Sequence, residues 1–349
     1  MNNKLLELID RLANNHALSL EEYEYLIKNR NPEVVQYAKQ KAVTIRKQIF
    51  GNKVYIRGLI EISNICKNDC LYCGIRCSNK TCERYRLSEE DILECCEEGY
   101  QLGFHTFVLQ GGEDAYFSDD VLCHLLETMK SKYPDCAITL SLGERSKESY
   151  ARLFQAGANR YLLRHETADQ HHYQKLHPSY MSYENRMECL YTLKELGYQT
   201  GCGFMVGSPY QDEKMLAKDL KFIEEFHPQM CGIGPFIPHN ATPFKDMRAG
   251  SVDLTCYLLS LIRLIYPPIL LPSTTALGTI DTQGTEKGIQ AGANVIMPNL
   301  SPLSVRKKYE LYNHKKHTGE ESAQNKNRLA LKMKEIGYEI VTERGDFRE

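Results

Sequence analysis

No charge of either sign dominates this chain: 43 Lys and Arg stand against 45 Asp and Glu, a formal net charge of -2 over 349 residues. Without an overall basic field, nucleic acid and anionic membrane surfaces are not expected partners. Long hydrophobic runs are missing too. The most apolar stretch, residues 258–272, carries Arg263 in its middle and Pro267-Pro268 beyond, so it does not read as a membrane span. The first ten residues break their apolar run with Glu7 and Asp10 and offer no small-residue cleavage site. A secretory signal is therefore not expected, and the cytoplasm is the expected compartment. The G-x-S-x-G, G-x4-G-K-S/T and paired-histidine helix signatures are all missing, which leaves serine hydrolase, P-loop and zincin chemistry without support.

Cysteine is what the chain does have, thirteen residues of it spread over a length that suits one large domain or two smaller ones. Such spread, without a secretory signal, points to a reducing compartment rather than to disulfides. Cys95, Cys96, Cys123, Cys189 and Cys256 lie in helically patterned segments and read as small core hydrophobes. The run Cys66-Lys67-Asn68-Asp69-Cys70-Leu71-Tyr72-Cys73 is different. Three thiols at C-x3-C-x2-C spacing fit three corners of an iron-sulfur cube and leave its fourth iron open, whereas a closed structural zinc site takes four ligands. Chance proximity of three buried thiols is the plain alternative, and Asn68 and Asp69 mark an irregular polar loop against it. Cys77 and Cys82 follow closely and could reach the same mouth; packing is the reading preferred for them.

Residues 3–50 read as helices, with Leu5, Leu8, Ile9 and Leu12 on one face and Ser19 as an N-cap with Glu22 three residues on. After Gly51-Asn52 eight short apolar runs alternate with amphipathic segments: 54–62, 106–110, 137–142, 160–165, 201–206, 231–237, 269–275 and 294–298. Helices are expected near 89–101, 119–132, 146–156, 183–196, 212–226, 252–265 and 284–291. Gln155-Ala156-Gly157-Ala158-Asn159 recurs as Gln290-Ala291-Gly292-Ala293-Asn294, in both cases before a strand, with glycine ending the preceding helix. Eight strand-helix units predict an α/β fold, a (β/α)8 TIM-type barrel, with an open doubly wound sheet as the alternative. The expected divisions are an N-terminal helical extension over 1–51, the barrel over 52–312, and a charged tail over 313–349 with a helix near 322–335, read as a surface cap.

In such a barrel the chemistry collects at the C-terminal ends of the strands. There the sequence places the cysteine triple, Gln110-Gly111-Gly112-Glu113, Ser141, Arg164-His165-Glu166, His239, Thr274-Thr275 and Met297. Gly111-Gly112 admits close approach to the backbone, and Glu113 could orient those amides, hold an ammonium, or belong to a plain turn. Arg164 and Glu166 share strand parity, so they face one side, either toward a ligand or as an internal ion pair. Arg186 could clasp a carboxylate. Thr274 and Thr275 read equally as anion ligands or as β-branched strand residues. His165 reads as structural, His239 as exposed to the mouth.

With Tyr72 just before its last cysteine, the triple resembles that of the radical S-adenosylmethionine (SAM) superfamily. Within it the chain is similar to the biotin synthase and methylornithine synthase branch, and most to FeFe-hydrogenase maturases of the HydE family. The matching runs are 84–86, 109–114, 141–144, 160–167, 232–239 and 293–299. The resemblance implies one 4Fe-4S cluster on Cys66, Cys70 and Cys73, acting as catalytic centre and metal site, with SAM as second cofactor. It implies cofactor contacts at Tyr72, Gln110, Gly111, Gly112, Glu113, Ser141, Glu166 and Arg186, and a substrate cavity lined by Arg57, Thr139, Arg164, Thr274, Thr275, Met297, Tyr309 and Tyr312. The implied reaction is reductive cleavage of SAM to a 5′-deoxyadenosyl radical that attacks a cysteine-containing iron carbonyl cyanide complex, a precursor of the hydrogenase diiron site. The implied partners are that small organometallic substrate, an electron donor such as a ferredoxin or flavodoxin, and other maturation proteins. No cysteine follows Cys256, so the second cluster of some members is not expected here. An isomerase or sulfur-insertion enzyme of the same superfamily, and a non-catalytic iron-sulfur scaffold, are the rival readings.

Overall fold

In the computed structural model, which describes residues 2–316 and 323–348, three helices come first: α1 (Asn2–Asn15), α2 (Leu20–Lys28) and α3 (Pro32–Phe50). Ser19 caps α2 in a reciprocal capping box with Glu22. Strands β1 (Lys53–Ile56) and β2 (Gly58–Ser63) follow, then α4 (Glu89–Gln101), β3 (Thr106–Gly111), α5 (Asp119–Lys132), β4 (Ala137–Ser141), α6 (Lys147–Gln155) and β5 (Arg160–Leu162). Two helices, α7 (Gln170–Leu176) and α8 (Tyr183–Glu195), lead to β6 (Gln199–Cys202) and the short β7 (Met205–Val206). The rest comprises α9 (Glu213–Phe226), β8 (Met230–Cys231), β9 (Gly234–Pro235), α10 (Val252–Ile265), α11 (Thr275–Ile280), α12 (Gly284–Gln290), β10 (Val295–Ile296), α13 (Leu303–Arg306), α14 (Lys326–Glu335) and β11 (Glu339–Val341).

Strands β2, β3, β4, β5, β6 and β8 pair in that order, every pair parallel. Isolated parallel bridges carry the ring onward from Met230 to Leu270, from Pro272 to Val295, and from Asn299 back to Leu59. The result is the expected α/β barrel. All six residues of β2 are buried, as a strand covered on both faces requires. Gly157 and Gly292, the repeated helix-ending glycines, take φ of +117° and +111°, which β-carbon-bearing residues rarely adopt. The strand expected over 269–275 is reduced to the two bridges, because Pro272 has no N–H to give a ladder and Thr275 already opens α11.

The tail differs from a surface cap. Strand β11 pairs in parallel with β1, Val54 beside Ile340, and the chain then turns under the barrel. Thr106 donates to the Arg344 carbonyl at 2.8 Å, and buried Arg160 and Gln199 hold Asp346 at 2.8 and 3.1 Å. Residues 344–347 thus close the end opposite the strand C-termini. Of the tail helix expected near 322–335, residue 322 lies outside the described residues. No helix among the described residues is long and apolar enough to cross a membrane.

Candidate active site

The cysteine run occupies the loop between β2 and α4, and its shape is held by two side chains. Asp69 accepts from Arg76 Nε at 2.7 Å, from the Ser78 amide at 3.0 Å and from its hydroxyl at 2.8 Å, and also pairs with Arg76 Nη2. Arg84 donates to the carbonyls of Asn64, Ile75, Arg76 and Asn79 at 2.5 to 3.2 Å. Cys66, Cys70 and Cys73 are all free and half-buried. Burial pushes all three thiols up, Cys73 to about 12, with the neighbouring thiols adding to it at Cys70 and Cys73. As ligands they need a cationic centre to favour the thiolate. Among the described residues no three His, Cys, Asp or Glu groups converge on a point that would hold a single metal ion. In a cube each cysteine takes a different iron, so the thiols need not meet at one point.

The strand ends face this loop. Gln110 and Ser141 are register partners on β3 and β4. At Gly112 a β-carbon would fall 2.3 Å from the Ile65 carbonyl oxygen and 2.7 Å from Cys66 Cβ, so only glycine lets the β3 end lie against the cysteine loop. The next amide, that of Glu113, donates to Cys66 Sγ at 3.4 Å. The Glu113 carboxylate accepts the Glu144 amide at 3.1 Å and pairs with Lys67 at 3.0 Å, so it orders the rim. Arg186 is pinned by Glu144 at 2.5 Å and by the Arg164 carbonyl at 2.6 Å. Glu166 adopts φ +65°, and its Oε2 lies 3.1 Å from Arg164 Nη2. That contact is close but misaligned, for neither atom makes a hydrogen bond. Tyr72 is packed beside Leu176, Met205, Phe236 and Phe244 and donates to His177 Nε2 at 3.2 Å.

Inside the barrel Arg57 is buried, with Nη1 2.9 Å from Met230 Sδ and with Nε and Nη2 unpartnered. Thr139 Oγ1 and Arg164 Nε are unpartnered as well. The Tyr309 hydroxyl lies 3.4 Å from Gln110 Nε2. Tyr312 sits on a strap in which Leu311 accepts from the Gly74 amide at 2.8 Å and Asn313 donates to Pro238 at 3.1 Å. Thr274 spends its hydroxyl on the Ile233 carbonyl at 3.1 Å, and Thr275 and Met297 line a small pocket with Ser273, Glu286 and Met333. Thr274 is therefore a strand link rather than a free anion donor.

His165 is structural, as read from sequence: the Gly203 amide donates to Nδ1 at 3.4 Å, which leaves the proton on Nε2 facing Asp219 at 3.2 Å. His239 is buried rather than exposed, since the Ala241 amide donates to it at 3.1 Å and Gly74 packs against its ring. Cys82 lies against the core and accepts from Asn64 Nδ2 at 3.5 Å, and Cys77 donates its amide to the Asn68 carbonyl. Asp69 and Met181, whose sulfur is 3.8 Å from Cys70 Sγ, have no place in the sequence reading, and Arg84 enters it only within the matching run 84–86, without a role. Only the polar run Asn68-Asp69 hinted at the first.

The Radical SAM superfamily is matched over residues 60–223. Over 268 residues, 77% of this chain and 76% of its relative, the sequence is 47% identical to the FeFe hydrogenase maturase subunit HydE of Thermotoga maritima. The chain belongs to the radical SAM superfamily. It is also 30% identical to a 3-methylornithine synthase of Methanosarcina acetivorans, over 84% of each. The crystal structure of methylornithine synthase (PylB) superposes on 96% of this chain and 97% of that one with a TM-score of 0.84 at 25% identity. Membership of the superfamily implies a 4Fe-4S cluster and SAM as cofactors. The three thiols, the Gly112 cradle and the unpartnered Glu166 oxygen fit that pair of groups.

Proposed function

We propose that this radical SAM enzyme acts in FeFe-hydrogenase maturation, on a small anionic iron complex carrying cysteine, carbon monoxide and cyanide. Its greater identity to the HydE maturase than to the methylornithine synthase supports this. The observation that carries it is Arg57: a guanidinium inside the barrel with two unpartnered nitrogens, where the Thr139 hydroxyl and Arg164 Nε are unpartnered as well. A buried guanidinium with unpartnered N–H groups calls for an acceptor, which an anionic ligand supplies.

Cys66, Cys70 and Cys73 would hold a single cluster, as no cysteine follows Cys256. When bound, cluster and SAM together supply reductive cleavage of the sulfonium to a 5′-deoxyadenosyl radical. Arg186, fixed by Glu144, would hold the carboxylate of the methionine part; Glu166 would accept from its ammonium or from the ribose; Gln110 and Ser141 would donate along the strand ends. Tyr72 and the apolar residues around it would exclude water. Arg57, Thr139 and Arg164 would orient the anionic substrate, with Tyr309 and Tyr312 above them. A ferredoxin or flavodoxin would deliver the electron in a reducing, cytoplasmic compartment.

Anaerobic assay of the reconstituted protein tests this. 5′-Deoxyadenosine should form with the cysteine-bearing iron carbonyl cyanide complex and not with lysine, and iron should total about four per chain. Turnover on lysine alone would transfer the enzyme to the isomerase class. Absence of SAM cleavage under strong reductant would leave only a scaffold.

A further inference from the structure

Tyr173, on α7, is wholly buried and its hydroxyl has no hydrogen-bond partner. The ring is held firmly: it stacks on His177 with centroids 3.9 Å apart and 21° between planes, and meets Tyr183 edge-on at 5.7 Å. His177 also takes the Tyr72 hydroxyl, so the stack backs directly onto the cysteine loop. Burial pushes the Tyr173 hydroxyl up from its ordinary value, so it is an O–H donor at any physiological pH. Tyr183, which its ring meets, stands one turn before Arg186 on the same face of α8, which brings the ring toward that guanidinium, and Arg186 is the charged group that acts on the hydroxyl most. Phenylalanine would fill the same space without burying an unsatisfied donor. Glu144 and the Arg164 carbonyl already take two of the Arg186 donors, so a carboxylate arriving beside that guanidinium would find a second, uncommitted donor in Tyr173.

We propose that the Tyr173 hydroxyl donates a hydrogen bond to the carboxylate of the methionine part of SAM, alongside Arg186. The proposal rests on the cofactor site assigned above, in which Tyr173 had no place.

Tyr173→Phe in the cluster-reconstituted full chain tests it by anaerobic titration calorimetry. SAM affinity should fall about tenfold, as for loss of one hydrogen bond to a charged acceptor. 5′-Methylthioadenosine, which lacks the amino-acid end, should bind variant and wild type alike. Without ligand the variant should melt at the same temperature or higher, because an orphaned hydroxyl has been removed. Equal SAM affinity, equal losses for both ligands, or a variant that melts lower or fails to fold would each overturn the contact. If the wild type itself bound no SAM, the cofactor-site reading would fall with it; if only the variant matched the wild type, the Tyr173 contact alone would fall.

Discussion

Arg57 tests at the scale of one side chain whether the barrel interior is built for an anion. Burial holds its pKa well below the ordinary value, Arg160 adds to the effect, and the Asp346 carboxylate opposes it. Such a group opposes folding when the cavity is empty. Arg57→Met should leave the ligand-free protein as stable or more stable by about 1 to 3 kcal/mol, while lowering substrate-dependent 5′-deoxyadenosine formation at least about tenfold. Thermal melts and product assays on one preparation check both arms; a destabilised variant with unchanged turnover would mean that the guanidinium is structural. Asp69 offers the opposite case. Its carboxylate is held far below the usual range by the Arg76 hydrogen bonds, with burial opposing and Ser78 assisting. Asp69→Asn should weaken the loop by about 1 to 3 kcal/mol of charge-assisted bonding and reduce iron retained after gel filtration, with helix content unchanged. The cysteine triple was legible because its signal is local, three residue types at fixed spacing. The Asp69 and Arg84 braces were not, since neither spacing nor polarity says which loop carbonyls an arginine will collect.

Among the elements, α4, α5, α6, α8, α9 and α10 follow the amphipathic patterns of the sequence closely, but α7 and the strap over residues 307–316 do not show in it. The strap's lysines and histidine read as solvated surface. In the structure Lys315 is buried and pairs with Glu61 of β2, which also accepts from Asn299 at 2.9 Å. The partners are far apart in sequence, a kind of contact that composition cannot reveal. The strap crosses the cysteine loop at Gly74 and the β9 side at Pro238, and sets the Tyr309 hydroxyl 3.4 Å from Gln110 Nε2. Lys315→Met would leave Glu61 charged and unpaired in the interior, at a cost of about 3 to 5 kcal/mol. The double change Glu61→Gln with Lys315→Met should recover most of that stability. Denaturant titration of the three variants measures the coupling, and additive losses would show that the strap is held elsewhere.

At the scale of the whole molecule, the barrel was legible from repetition, whereas closure of its bottom was not, because β11 is three residues long and pairs with a strand near the other end of the chain. The buried histidines set a property of the entire fold, its stability against pH. Burial pushes His177 down to about 3, and Arg186 opposes its protonation further. His165 is likewise pushed to about 3 by burial. Both are neutral in the folded protein at pH 5, while in the unfolded chain each binds a proton below its ordinary value of about 6.5. Asp219 acts in the reverse sense: burial raises its carboxyl well above the ordinary value, so the folded state keeps a proton that the unfolded state releases above about pH 4. Between about pH 4 and 6 the His165 and Asp219 terms therefore offset each other, and His177 is left to carry the dependence. His172 and His239, both lowered first by burial, add in the same direction. Stability should thus fall with acidification, the folding equilibrium constant dropping at least about tenfold per pH unit between pH 6 and 4. His177→Asn, which keeps a polar neighbour for Tyr72 but cannot titrate, should lessen that slope by about one proton. Denaturant unfolding at pH 5 and pH 6 decides the matter, since an identical slope in the variant would place the titrating group on another residue.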